Sequence, residues 1–139
     1  MSTAHNYLVF FLVVFFFLTA STALEEHKQN NDTAAPTVHI INGMARNSEA
    51  IQVRCSSRGG DLGYHKMGAG DNYVWSVELQ RALYYCEAMW GVRYFASWHA
   101  FQPKRDTGRG TVFWLVKENG LFLSWDNSTW VRRSQWQTE

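Results

Sequence analysis

From Val38 onward the apolar side chains recur at every second position, and that period suits strands rather than helices. Ala50-Ile51-Gln52-Val53-Arg54-Cys55 sets Ile51, Val53 and Cys55 on one face and Gln52 and Arg54 on the other. Leu83 to Trp90 groups Tyr84, Cys86, Ala88 and Trp90 against Tyr85, Glu87 and Met89. Successive side chains of a strand point to opposite faces, so each run has one face to bury and one to leave in water. Arg93 to Phe101 and Thr111 to Val116 continue in β-favouring residues, and an Asn119-Gly120 turn before Leu121 to Trp125 signals a hairpin. Val38 to Ile41 and Asn72 to Val77 bring the set to about seven short strands, with Trp130 to Trp136 as an eighth. The best helical candidate, Tyr73 to Tyr85, is crowded with β-branched and aromatic residues. The expected fold is all-β: a small antiparallel β-sandwich or partly closed barrel of seven to eight short strands, with at most one short helical turn.

Ahead of this pattern stands a run of twelve apolar residues, Tyr7 to Leu18. As a helix it would reach about 18 Å, well short of the roughly 30 Å of a bilayer core. The small residues of Thr19-Ala20-Ser21-Thr22-Ala23 follow at once, as at a signal-peptidase site, although the preceding residues carry no Lys or Arg. We read residues 1–23 as a cleaved signal peptide, over an uncleaved anchor or a buried helix. Residues 24–37, with no apolar side chain larger than Leu24, form a flexible leader, and residues 38–139 form the domain. Removing the first 23 of 139 residues leaves 116, enough for one core and too few for two. Net charge is +1, without the basic excess of a nucleic-acid binder, and no later segment is apolar enough for stable membrane insertion. Asn31 and Asn127 each begin an N-glycosylation sequon, which matters only if the chain is secreted.

Cys55 and Cys86 both fall on faces assigned to the core, and in an oxidising compartment such a pair reads as one disulfide. Two separately buried thiols are the alternative. A metal-binding or catalytic pair lacks the CxxC spacing and the further ligands it would need. His27, His39, His65 and His99 stand apart, in no short-spaced metal cluster. Asp61, Asp71, Glu78 and Glu87 are the carboxylates a sugar hydrolase would draw on, but no spacing pairs them, and Asp61 and Asp71 look like turn residues. Gly59-Gly60-Asp61-Leu62-Gly63 reads as a structural loop before an anion nest. Arg58, Lys104, Arg105 and Arg109 read as basic turn residues in solvent and as candidate recognition positions. No metal or cofactor is expected.

Three features then line up in order: Val38-His39-Ile40-Ile41-Asn42; Val53-Arg54-Cys55-Ser56-Ser57 leading into Asp61-Leu62-Gly63-Tyr64-His65; and Tyr84-Tyr85-Cys86-Glu87-Ala88-Met89-Trp90 with Trp114-Leu115-Val116-Lys117-Glu118-Asn119-Gly120. This resembles the plant self-incompatibility S1 family, the S-protein homologues, over about Val38 to Trp136. The resemblance implies a small secreted β-sandwich without enzymatic activity. The founding members of that family are stigma-secreted ligands that stop incompatible pollen through a pollen-surface receptor. Carried over residue by residue, Cys55 and Cys86 match the first two cysteines of the family. Asp61, Leu62 and Gly63 match its most constant loop, and Asn42, His65, Trp90, Trp114 and Gly120 match framework positions. The family often has two more cysteines where this chain runs from Arg105 to Phe113, and this chain has none there.

The expected function is that of a secreted, extracellular signalling or interaction protein, monomeric, recognised by a cell-surface receptor or other extracellular protein. The candidate loops are Met44 to Glu49, Arg58 to Gly60, Gln102 to Arg109 and Asp126 to Thr129. A wall-glycan binder would instead expose several of the seven tryptophans in a row, and a small hydrolase would face two carboxylates across a cleft.

Overall fold

The computed structural model describes residues 34–138. The signal-peptide run, most of the leader, His27 and the Asn31 sequon lie outside the described residues. The elements are β1 (Thr37–Asn42), β2 (Ile51–Ser57), β3 (Gly60–Met67), β4 (Asn72–Ser76), β5 (Tyr84–Trp90), β6 (Tyr94–Phe101), α1 (Pro103–Asp106), β7 (Thr111–Lys117), β8 (Gly120–Ser124), β9 (Val131–Ser134) and β10 (Gln137–Thr138). They form two five-stranded sheets, the first ordered β4-β1-β7-β8-β9 and the second β10-β6-β5-β2-β3. Neighbours run antiparallel except β1 and β7, which are parallel from Thr37 opposite Thr111 to Asn42 opposite Val116. Five strands and several crossings between the sheets separate β1 from β7, and a link that long is what a parallel pair requires.

The alternation seen in the sequence becomes the core. Val38, Ile40, Val112, Trp114, Val116, Leu121 and Leu123 of the first sheet are buried, as are Ile51, Val53, Cys55, Tyr84, Cys86, Ala88, Ala96, Trp98 and Ala100 of the second. Each large side chain buried in this way contributes about 1.5–3 kcal/mol. Cys55 and Cys86 are directly opposed in the β2–β5 ladder with Cα atoms 4.1 Å apart and are joined as a disulfide. The bond therefore staples two neighbours in one sheet.

Two strands escaped the sequence reading. The glycine cluster taken as a loop is a tight turn at Arg58-Gly59 followed by the edge strand β3. The Trp130–Trp136 run holds β9 and is followed by β10, one in each sheet, so the C-terminal segment closes one side of the sandwich. Trp136 fastens it, its indole N–H donating to the Lys117 carbonyl at 2.7 Å while its ring lies 5.8 Å from that of Trp90. The weak helical candidate Tyr73–Tyr85 is β4, a connecting loop and the start of β5.

Candidate recognition surface

Strand direction divides the connections between two ends of the sandwich. The β1–β2, β3–β4, β5–β6 and β7–β8 connections lie at one end, and the β2–β3, β4–β5, β6–β7 and β8–β9 connections at the other. Three of the four loops singled out in the sequence therefore share the second end: Arg58–Gly60, Gln102–Arg109 and Asp126–Thr129. Met44–Glu49 sits at the first.

The β6–β7 connection is built around a buried charge. Pro103 opens the single turn of α1, and the fully buried Asp106 closes it. Arg105 grips that carboxylate with two hydrogen bonds, Nε to Oδ1 at 2.8 Å and Nη2 to Oδ2 at 2.7 Å. The Gln102 backbone N–H and the Trp125 indole N–H donate to the same carboxylate at 2.8 and 3.0 Å. Arg105 Nη2 also donates to the His99 carbonyl at 3.0 Å, and the guanidinium lies 5.2 Å from the centre of the Trp114 ring. Arg105, expected in solvent, is thus turned inward as a brace. Lys104 and Arg109 remain exposed, Arg109 stacked 4.4 Å over Trp125.

In the β8–β9 loop Asp126 Oδ1 accepts from the backbone N–H groups of Ser128 and Thr129 at 2.9 and 2.8 Å and from the Ser124 hydroxyl at 2.8 Å. Those donors favour the ionised form, so Asp126 is held well below the usual carboxylate range, the Thr129 N–H contributing most. Asn127 stands exposed at the apex with φ of 57°, a conformation asparagine tolerates. Its sequon is open to solvent.

The Asp61-Leu62-Gly63 element has a physical rationale in the β2–β3 pairing. The register shifts between Arg54 and Ser56, so Leu62 and Gly63 together face Cys55 in a bulge, with Gly63 at φ of +85°. Asp61 Oδ1 accepts the Gly63 N–H at 2.8 Å, and Oδ2 accepts from Arg54 Nε at 2.9 Å. Arg54 also donates to the Tyr64 hydroxyl at 3.1 Å. The hydrogen bond from Arg54 lowers the Asp61 pKa and that to Asp61 raises the Arg54 pKa. Leu62 packs against the core. His65 stacks on Tyr73 at 3.7 Å, and its Nε2 lies 3.1 Å from the Leu62 carbonyl, a contact that selects the Nε2–H tautomer.

The other framework positions are structural too. Buried Asn42 donates to the Met67 carbonyl and accepts from the Met44 N–H, both at 3.0 Å, which ties the end of β1 to the end of β3. Trp114 is core, its indole N–H on the Ala100 carbonyl at 2.9 Å, and Trp90 stacks on Tyr94 at 5.0 Å. Gly120 has φ of +135° and the Ser134 carbonyl 2.6 Å from where a Cβ would stand, so no other residue fits without a shift.

The rival chemistries find little to use. Asp61 and Glu78 line a cleft of about 270 Å³ with Trp75 and Tyr84. An acid that protonates a glycosidic oxygen needs a raised pKa, whereas Asp61 is shifted down by Arg54. Among the described residues no three His, Cys, Asp or Glu side chains gather as a metal site. His39 and His99 pair with Phe113 and Tyr85 on the outer sheet faces. Among the described residues no tryptophan is exposed: Trp98 and Trp114 are buried, and Trp75, Trp90, Trp125, Trp130 and Trp136 are half-buried.

Comparison with known proteins agrees with this architecture. A family model described as plant self-incompatibility protein S1 matches residues 37–136. Among solved structures, an SPH (self-incompatibility protein homologue) protein is similar, from what is described as a widespread family of small, highly stable, secreted proteins from plants. It shares 12% identity at a TM-score of 0.59, over 76% of this chain and 98% of its own, a likeness of fold. No curated protein matches the chain.

Proposed function

The chain belongs to the plant self-incompatibility protein S1 family, and on that premise we propose that it is a secreted, non-enzymatic ligand recognised by a cell-surface protein through the loops at its second end. The chain is extracellular, as its family is, and the Cys55–Cys86 disulfide suits that compartment. The observation that carries the recognition reading is the convergence of three loops, drawn from both sheets, at one end of a stapled framework. Arg58, Lys104 and Arg109 stand exposed there, while Arg105 and Asp106 beneath them hold the backbone in place. Recognition loops positioned by a rigid scaffold lose little entropy on binding. In this reading residues 1–23 serve delivery and residues 24–37 form the leader, of which Pro36 is already buried and Thr37 already begins β1.

The experiment is saturable binding of the secreted product to plant plasma-membrane vesicles, with and without protease treatment of the vesicles. Binding is expected to be lost on protease treatment and in a variant combining Arg58→Ala, Lys104→Ala and Arg109→Ala that unfolds at the parent temperature. Undiminished binding by that variant would refute the assignment of these loops.

A further inference from the structure

Among the described residues one asparagine, Asn127, begins an Asn-X-Ser/Thr sequon, and the fold sets it at the apex of the β8–β9 connection. Asp126 to Thr129 are all exposed. Other asparagines engage their amides within the fold: Asn42 bonds the Met67 carbonyl and the Met44 N–H, and Asn72 bonds His39. Among the described residues nothing bonds the Asn127 amide. The loop is shaped instead by Asp126, which accepts from the Ser128 and Thr129 N–H groups and from the Ser124 hydroxyl. It keeps that shape without the Asn127 side chain, so a group added to the amide displaces no contact of the fold.

The surroundings of the apex are uneven. Trp125 stands two residues before Asn127, which puts their Cα atoms within about 7 Å. The guanidinium of Arg109 lies 4.4 Å over the Trp125 ring, so Arg109 is a close neighbour of the sequon. Arg58 is not. Its turn opens β3, at the edge of the second sheet beside β4, whereas β9 is the edge of the first sheet and lies beside β6. Three strand spacings separate β3 from β6, about 14 Å, so Arg58 and Asn127 occupy opposite flanks of the second end.

We propose that Asn127 carries an N-linked oligosaccharide that covers Arg109 and leaves the Arg58 flank open. The secretory compartment supplies the donor, an oligosaccharide on a lipid-linked diphosphate, and the sequon with its Thr129 hydroxyl is what the transferase reads. A bond forms between Asn127 Nδ2 and C1 of the first N-acetylglucosamine. The bond from that C1 to the diphosphate breaks, the lipid diphosphate leaves with the electron pair, and the amide gives up one proton. Transfer takes place on the open chain, before Asp126 pins the loop, and the folded protein accommodates the product at an exposed apex. A glycan is bulky and solvated, and one anchored this close to Trp125 sweeps the space in front of the Arg109 stack. The proposal does not depend on the receptor reading, since both of its measurements are made on the secreted protein alone.

The first measurement is peptide mapping by mass spectrometry of the product secreted from plant cells, before and after treatment with peptide N-glycosidase A. The peptide holding Asn127 is expected to carry an oligosaccharide in the majority of molecules and, once released, to have aspartate at that position. A peptide that is bare in the majority overturns the proposal, whether or not Asn31 is modified. The second measurement is phenylglyoxal labelling of arginines in the folded protein. Asn127→Gly is the matched variant, because glycine adopts the φ of 57° freely, and its near-UV circular dichroism is expected to be unchanged. Arg109 is expected to react about two-fold faster or more in that variant, and equally so in the enzymatically deglycosylated parent, while Arg58 reacts at the parent rate. An unchanged rate at Arg109, or an equal rise at Arg58, overturns the placement of the glycan.

Discussion

The β2–β5 pair is held by a covalent bond between directly opposed residues, Cys55 and Cys86, whereas the corner from β6 to β8 is held by polar contacts around one buried carboxylate, Asp106. The second region is also where the family often places two more cysteines. A disulfide stabilises mainly by restricting the unfolded chain, and its effect disappears under reducing conditions. A buried ion pair costs desolvation of both charges and gains from their attraction, so its net contribution is small while both partners are present. Removing one partner is another matter, because the remaining charge is left unmatched. The staple is therefore tolerant of sequence but sensitive to redox state, and the polar corner the reverse.

The largest effect expected from that contrast is in the polar corner. Asp106→Asn leaves the Arg105 guanidinium, only 17% exposed, without a counter-charge and weakens the hold on Gln102 and Trp125. A loss of about 3–5 kcal/mol is expected, read from the urea midpoint. A loss below about 1 kcal/mol would mean that the corner is held by packing alone. Next comes the staple. The double variant Cys55→Ala and Cys86→Ala, whose bond closes a separation of 31 residues, is expected to lose about 3–4 kcal/mol. Dithiothreitol should bring the parent to the same midpoint and leave the double variant where it is. If the two regions are independent, combining these changes adds their costs to within about 0.5 kcal/mol.

The two regions were also unequally legible in the sequence. The staple could be read because period two placed Cys55 and Cys86 on inward faces, and the structure sets them opposite each other. Asp106 gave no comparable signal. Adjacent residues do not usually pair, and Lys104-Arg105-Asp106 looks like any solvated turn until the fold brings Trp125 and the Gln102 N–H onto the carboxylate. The strand β3 was hidden for a related reason. Its first half is Gly60-Asp61-Leu62-Gly63, and the bulge at Leu62 and Gly63 breaks the alternation that marks strands such as β1, β2 and β7. That three candidate loops share one end is a property of strand direction, which local pattern does not carry.

A smaller effect is expected from the exposed carboxylate next to the polar corner. Asp126 has its pKa depressed in the folded chain by hydrogen bonds from Thr129, Ser128 and Ser124. A group of that kind stabilises the fold above its unfolded pKa, near 3.8, and the contribution fades as pH falls below about 4. Asp126→Asn keeps an acceptor for the loop but cannot titrate, so its urea midpoint should fall less between pH 7 and pH 3 than that of the parent. Equal falls would show that the loop gains nothing from the ionised form. Asp61, shifted in the same direction by Arg54, keeps the decline from vanishing altogether.

The finest comparison uses two tryptophans that face each other across the core with ring centres 5.9 Å apart. Trp98 belongs to the stapled sheet, opposite Cys86, and its buried indole N–H has no partner. Trp114 lies beneath Arg105, and its N–H donates to the Ala100 carbonyl at 2.9 Å. Replacing either by Phe removes similar apolar area and opens a similar void, so those costs largely cancel between the two variants. What remains is the polar difference. Trp114→Phe loses a hydrogen bond and leaves the Ala100 carbonyl only the longer contact from Arg105 at 3.4 Å, whereas Trp98→Phe removes an unsatisfied donor. Trp114→Phe is therefore expected to cost about 1 kcal/mol more than Trp98→Phe in matched urea titrations. Equal costs would mean that a water or a small shift already satisfies Trp98, and the stapled sheet would then be as well bonded as the polar corner.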